Sequence, residues 1–409
     1  MLIPKYIAPR RKSTALTDEG KRNIEKPWLA KRDMREYISW VLTWSMMLFC
    51  AGAAAVMCLL DARNVKMMGD LCLVLHDDFD NGLNRDVWFH EVDMGGFGNK
   101  EFEMTTNSDN NTFVEDGILY IVPTLTEDAI GHENVYNGYT YNISGCTNVN
   151  LTTCSATSNY TTQKVVNPVQ SARISTKFSH SITYGRVEVR ARLPRGDWLW
   201  PAIWMLPTRN DYGPWPMSGE IDIMESRGNG RDYPFQGDNY VRTSLNWGPA
   251  DFINYAFMTY GWWKKPRMRF SDNFHTFVLE WSPTFLRSYV DTRLQMPFSI
   301  DFNQPFYERG NFPATAFNGS TEIVIENPWK GSGSNSAPFD KPFYLIMNVA
   351  VGGTNGWFPD TVGDKPWFDG SENAMYQFAK AQPAWYPSWP EDLKRRGMAI
   401  DYVKMWQSC

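Results

Sequence analysis

Residues 218–230 read Ser-Gly-Glu-Ile-Asp-Ile-Met-Glu-Ser-Arg-Gly-Asn-Gly and set three carboxylates, Glu220, Asp222 and Glu225, within six positions of an apolar run. A retaining glycosidase needs two carboxyl groups about 5–5.5 Å apart, one as nucleophile and one as acid/base. Glu220 and Asp222 are two apart and share a face of a strand. Glu225 is five from Glu220, so strict alternation turns it to the other face. One β-bulge absorbs a residue and brings it back, leaving the three in a row. Asp222 then sits between the glutamates, where it can hydrogen-bond a neighbouring carboxyl and hold its charge state. The competing reading is a solvated acidic strand face. Ile221, Ile223 and Met224 oppose it, because they fix the opposite face in a core.

The elements that must position these acids are strands. The runs 117–124, 172–178, 186–193, 240–247, 275–281, 285–291, 343–351 and 400–406 are short and rich in β-branched or aromatic residues. In 186–193, Val187, Val189, Ala191 and Leu193 alternate with Arg186, Glu188, Arg190 and Arg192, the pattern of a half-buried strand. Strong helical periodicity is absent; residues 390–397 allow one helical turn, stopped by Gly397. Many short strands with long polar connections predict an all-β sandwich. Residues 125–170, polar and rich in Asn and Thr, read as a surface insertion.

Ile38 to Leu60 is 23 residues without a charge, enough to span a bilayer. A buried core helix should carry a polar stripe, and this segment has only Ser39, Thr43 and Ser45. A signal peptide starts closer to its charged region and has a shorter apolar stretch. Residues 1–37 hold ten Lys/Arg against five Asp/Glu, which predicts a cytosolic tail, disordered over 1–36, and a type II anchor at 38–60. Cleavage downstream is the alternative. A linker at 61–73 then leads to one domain at 74–409, lumenal or extracellular. Five N-x-S/T sequons, at Asn110, Asn142, Asn150, Asn159 and Asn318, all follow the anchor and fit glycosylation there. Outside the apolar segment stand Cys72, Cys146, Cys154 and Cys409. Pairing Cys146 with Cys154 closes a short loop and leaves Cys72 for Cys409, tying the ends of the domain; free thiols are the alternative. Net charge is −5 and Lys/Arg are not clustered beyond the tail, so no nucleic-acid partner is expected. The expected partners are the lipid bilayer and, from the 18 Trp and 19 Tyr, a polysaccharide. No cofactor or metal ligand set is expected, and nothing in the sequence supports a structural calcium.

Residues 220–225 also fit, at each position, the motif E-[IL]-D-[IVAF]-[VILMF]-E of family 16 glycoside hydrolases of the laminarinase type. The six-residue form is the bulged one of β-1,3-glucanases. The stretches 96–106, 171–196, 200–207, 212–229, 343–360 and 401–406 resemble the same family and its relatives, the β-1,3-glucan recognition proteins. The resemblance runs from about residue 74 to 407. It implies a concanavalin A-like jelly roll with a β-glucan groove across its concave sheet; a monomer is expected. It makes Glu220 the nucleophile, Glu225 the acid/base and Asp222 the helper. Trp200 and Trp204 would line the glycone side, and Trp215 would flank the entrance. Asn99 and Glu101 would contact sugar hydroxyls, and Arg173, Asn348 and Trp357 would line the groove. Core packing is the alternative for each Trp. Asn246 and Trp247 would contact substrate as well; many laminarinases have His before Trp-Gly where this chain has Asn246 before Trp247, a departure that bears on the protonation network. The implied activity is retaining endo-hydrolysis of β-1,3-glucan. A transglycosylase, a wall-assembly factor like the family's anchored fungal branch, and a non-catalytic glucan-binding protein are the alternatives. Recognition proteins typically lack one or both glutamates; this chain keeps both.

Overall fold

The computed structural model describes Pro27 and residues 33–409. The tail expected at 1–37 falls almost wholly outside the described residues. The chain divides into two units, Met1–Met67 and Met68–Cys409. Among the described residues, the first contains the helix Met34–Asn64, N-capped by the Asp33 carboxylate, which accepts from the Arg35 amide at 2.9 Å. It extends four residues beyond the apolar segment at each end. Its 31 residues span about 46 Å at about 1.5 Å each, and none of its apolar window is buried within the protein.

The second unit is a sandwich of two eight-stranded sheets. The sheet bearing the acids, called the cleft sheet, runs in the order Tyr260–Lys264, Tyr240–Asn246, Glu220–Glu225, Leu199–Pro207, Phe343–Val351, Arg173–Ser175, Phe89–His90. Ser181–Ile182 pairs beside Phe343–Val351. The back sheet runs Phe298–Asp301, Phe285–Val290, His275–Trp281, Gly185–Arg192, Met398–Ser408, Ile118–Ile121, Thr112–Glu115, with Leu71–Asp77 on Met398–Ser408. Burial alternates residue by residue along Gly185–Arg192, with Val187, Val189 and Ala191 inside. The inner faces of both sheets merge into one apolar core that includes Ile203, Met205, Ile221, Leu245, Leu279 and Met347.

Both expected disulfides are present. Cys72–Cys409 joins the ends of the domain across adjacent strands, and Cys146–Cys154 closes a loop in the 125–170 region. That region carries two short helices, Glu127–Ile130 and His132–Tyr136, and a hairpin of Thr140–Asn142 with Ser155–Thr157. It packs on the preceding segment through a small cluster in which Ile143 and Val166 meet Val92, Met94 and Met104. The single turn expected near 390–397 is the helix Leu393–Arg396. Two further short helices, Ala374–Lys380 and Gln382–Trp385, left no periodic signal. Aromatic contacts hold them instead, with Phe378 stacked on Trp385 at 4.5 Å.

Candidate active site

The strand Glu220–Glu225 lies between Leu199–Pro207 and Tyr240–Asn246. Gly219 delivers the chain into it at φ +82°, where a β-carbon would meet the Phe339 ring at 3.0 Å. Against Leu199–Pro207 the register runs Met205–Ile221, Trp204–Asp222, then Ile203–Met224 and Ala202–Glu225. Ile223 is therefore the extra residue of a bulge, and the same shift occurs against Tyr240–Asn246. Ile221, Ile223 and Met224 are buried in the core, while Glu220, Asp222 and Glu225 all face one cleft.

A chain of hydrogen bonds joins the three acids. Asn246 Nδ2 donates to Glu220 Oε1 at 2.8 Å and to Asp222 Oδ2 at 2.9 Å. Ser244 Oγ donates to the same Asp222 oxygen at 2.6 Å and approaches Glu225 Oε2 at 3.3 Å. Asn254 Nδ2 donates to Asn246 Oδ1 at 2.7 Å, which orients the Asn246 amide. Trp215 Nε1 donates to Glu220 Oε2 at 2.9 Å, and Trp200 Nε1 to Glu225 Oε1 at 3.2 Å. Burial pushes both glutamates up to about 7. Burial, then the charge of Glu220, pushes Asp222 well above the usual carboxylate range. The donors differ in distance: those to Glu220 are 2.8 and 2.9 Å away, and those to Glu225 are 3.2 and 3.3 Å away. Hydrogen bonding to the anion favours it, so the contacts favour charge on Glu220 and the proton on Glu225.

The cleft has two arms, of about 800 and 570 Å³, which meet over the acids. The larger arm runs over Trp204, Asn348, Arg173, Asn99 and Glu101. Trp204 Nε1 donates to Asn348 Oδ1 at 2.8 Å, and the Arg173 guanidinium lies 4.7 Å from the Trp204 ring and pairs with Glu91 at 3.1 Å. Asn99 donates to the buried Glu101 at 2.9 Å and accepts from Asn355 at 3.0 Å. The smaller arm runs over Arg242, Asn246, Tyr260, Trp262 and Trp357. Trp200 and Trp357 stack at 4.9 Å, near-parallel, and Trp262 continues the row at 6.0 Å from Trp357.

Among the residues expected to bind substrate, Trp247 is corrected. It is fully buried, its Nε1 donates to Thr259 Oγ1 at 2.7 Å, and its ring packs on Phe306 at 4.9 Å. Asn246 faces the cleft, so the next residue on the strand faces the core. Trp200 faces the cleft with only a 7% exposed surface and shares in the core beneath it. The same alternation could have revealed two missed residues. Arg242, Ser244 and Asn246 are spaced by two on the strand next to the acids. Tyr260, Trp262 and Asn254 come from later elements and carry no comparable signal.

An all-β sandwich with an acidic, tryptophan-walled cleft defines a class of jelly-roll carbohydrate-active proteins. Residues 133–337 match the family described as glycosyl hydrolases family 16, and the chain belongs to that family. It is 41% identical over 347 residues to a β-1,3-glucan-binding protein of Penaeus monodon, covering 82% of this chain and 90% of the relative. It is 30% identical to a glucan endo-1,3-β-glucosidase of Cryptopygus antarcticus over 81% of this chain and 90% of the relative. The laminarinase of Rhodothermus marinus superposes with a TM-score of 0.50 at 25% identity, covering 83% of this chain and 98% of that one. The two sheets are thus the jelly roll that the sequence resemblance implied.

Proposed function

We propose that this chain cleaves internal β-1,3-glucosidic bonds of β-glucan by a retaining double displacement. The bulge that presents Glu220 and Glu225 together, joined through Asp222, carries this reading. Glu220 attacks the anomeric carbon while Glu225 protonates the departing glycosidic oxygen. Glu225 then takes a proton from the water that resolves the glycosyl-enzyme. Asp222 shares the Asn246 donor with Glu220 and the Ser244 donor with Glu225 and so couples their charge states. A cleft open on both sides of the acids suits an internal bond. A sugar hydroxyl in place of water makes the same site a transglycosylase.

A second reading, glucan binding without turnover, draws on the name of the Penaeus relative. Product analysis on laminarin with the purified full-length chain separates these. Released sugars with the β anomer first support the hydrolase, and longer chains support the transferase. Binding without products supports the binder, and the α anomer first overturns the retaining mechanism.

The helix Met34–Asn64 we read as a type II anchor, with the domain lumenal or extracellular. The asparagines of all five sequons are exposed on that domain, which supports glycosylation there. Endoglycosidase treatment should lower its mass; no shift, with external protease digesting the C-terminal part in sealed vesicles, overturns this topology.

A further inference from the structure

The smaller cleft arm contains two arginines with opposite circumstances. Arg227 is buried and gives its donors to backbone carbonyls: Nε and Nη2 to Trp357 O, at 3.0 and 2.6 Å, and Nη1 to Phe235 O and Gln236 O, at 2.9 and 3.1 Å. It braces two loops. Arg242 lines the same arm, yet among the described residues no acceptor takes a hydrogen bond from it, and its Nε is buried without a partner. Its strand register is informative. Arg242 stands opposite Glu225 on one side and opposite Trp262 on the other. Its guanidinium lies 4.8 Å from the Tyr260 ring and 5.7 Å from the Trp357 ring. Aromatic rings flank the guanidinium, and its Nε has no acceptor among the described residues. A buried donor without an acceptor is unfavourable, so a ligand that supplies acceptors gains from meeting it.

We propose that Arg242 is the hydroxyl-binding residue of the acceptor side of the cleft, gripping the glucosyl unit that leaves on the Glu225 side. This rests on the hydrolase reading, with the larger arm, lined by Trp204, taken as the glycone side that the family resemblance implies. The next strand outward supplies Trp262 and the half-exposed Tyr260 as apolar walls for the same chain. The ligand chemistry is that of neutral β-glucan: ring hydroxyls accept from the fork, and the axial C–H faces meet the indole. The neighbouring carboxylates Glu225 and Asp222 disfavour an anionic ligand at this point.

Arg242→Met and Arg242→Lys in the full-length protein test this. One substrate is a laminari-oligosaccharide with sugars on both sides of the scissile bond. The other is an aryl laminaribioside, with an aryl leaving group in place of the acceptor sugar. Loss of a charged hydrogen-bond pair predicts an about 10–100-fold fall in kcat/KM on the oligosaccharide. The fall on the aryl glycoside should be smaller by about tenfold or more, and Lys, lacking the fork, should restore little. Thermal unfolding of both variants checks the fold. Equal losses on the two substrates, with the alkaline limb of the pH profile displaced, would show Arg242 acting through Glu225 and would overturn the proposal. If the unmutated protein turns over neither substrate, the hydrolase reading fails. Calorimetric titration with laminarihexaose then decides on Arg242 separately, with weaker binding by both variants expected and unchanged binding refuting it.

Discussion

Glu280 on the back sheet and Glu225 on the cleft sheet are both buried carboxyls on internal strands, yet they are pushed in opposite directions. Glu280 takes Arg287 Nε at 2.5 Å, Arg293 Nη2 at 2.7 Å and the Tyr289 hydroxyl at 2.9 Å. Burial raises its proton affinity, but these donors outweigh burial and hold it below the ordinary range. Glu225 has burial, then the charge of Asp222, acting upward, against the charge of Arg242 and two longer hydrogen bonds. The back sheet pairs its acids with cations and gains a fixed charge. The cleft sheet clusters acids with one another and holds protons that can move. Perturbation of this second kind is what acid/base chemistry uses.

Four experiments sharpen or break that contrast. The largest effect is expected on turnover. Glu225→Ala should lower kcat by about 10²–10⁴-fold, the usual contribution of a general acid/base. It should still form the glycosyl-enzyme from substrates with a good leaving group, and azide should then give the β-glycosyl azide. Glu220→Ala should lose more, with azide giving the α product. Full activity in both variants would reduce the acidic run to a strand face.

Next comes Glu280→Ala, which leaves the buried Arg287 without its carboxylate. Breaking such a pair costs about 3–5 kcal/mol, read from denaturant unfolding. A neutral result would mean that the back-sheet network adds nothing to the fold.

Glu225→Gln should do the reverse. The ordinary value for Glu225 is 4.5 and the folded protein raises it to about 7. Below 4.5 both folded and unfolded chains hold the proton, so the wild-type carboxyl carries no penalty there. As pH rises toward 7 the unfolded chain releases its proton first, and wild-type stability falls. The Gln variant should therefore be more stable by roughly 1–3 kcal/mol above neutrality, with the gain vanishing in acid. A constant difference across pH would sever Glu225 from this account.

The smallest effect is expected at Asn246. Asn246→His places a chargeable ring beside Glu220 and Asp222, in the position of a neutral donor. A nearby cation favours ionised carboxylates, so the acid limb of kcat/KM should move to lower pH, with kcat changed by about tenfold or less. An unmoved limb would uncouple Asn246 from the nucleophile.

Much of the site was legible in the chain because it lies on consecutive strands. The six-residue spacing of Glu220, Asp222 and Glu225 required a bulge, and one stands at Ile223. Trp247 was misread as a groove residue because a resemblance marks a stretch, while strand alternation decides which of two neighbours faces the cleft. The helices Ala374–Lys380 and Gln382–Trp385 escaped because they are too short for a 3.6-residue period to register.

The sequence alone determined the β class, the apolar helix and the acidic strand, and it brought Cys146 within a short loop of Cys154. Each of these depends on local spacing or on residue type, and local periodicity records which face is buried. Only the tertiary structure decided that Ser244 and Asn246 bridge the acids and that Trp200, Trp357 and Trp262 form a row. It also decided that Arg242 Nε has no acceptor among the described residues while Arg227 donates to three backbone carbonyls. Those facts arise where strands distant in the chain lie about 4.8 Å apart, and no pattern within one segment encodes which side chains then meet across the gap.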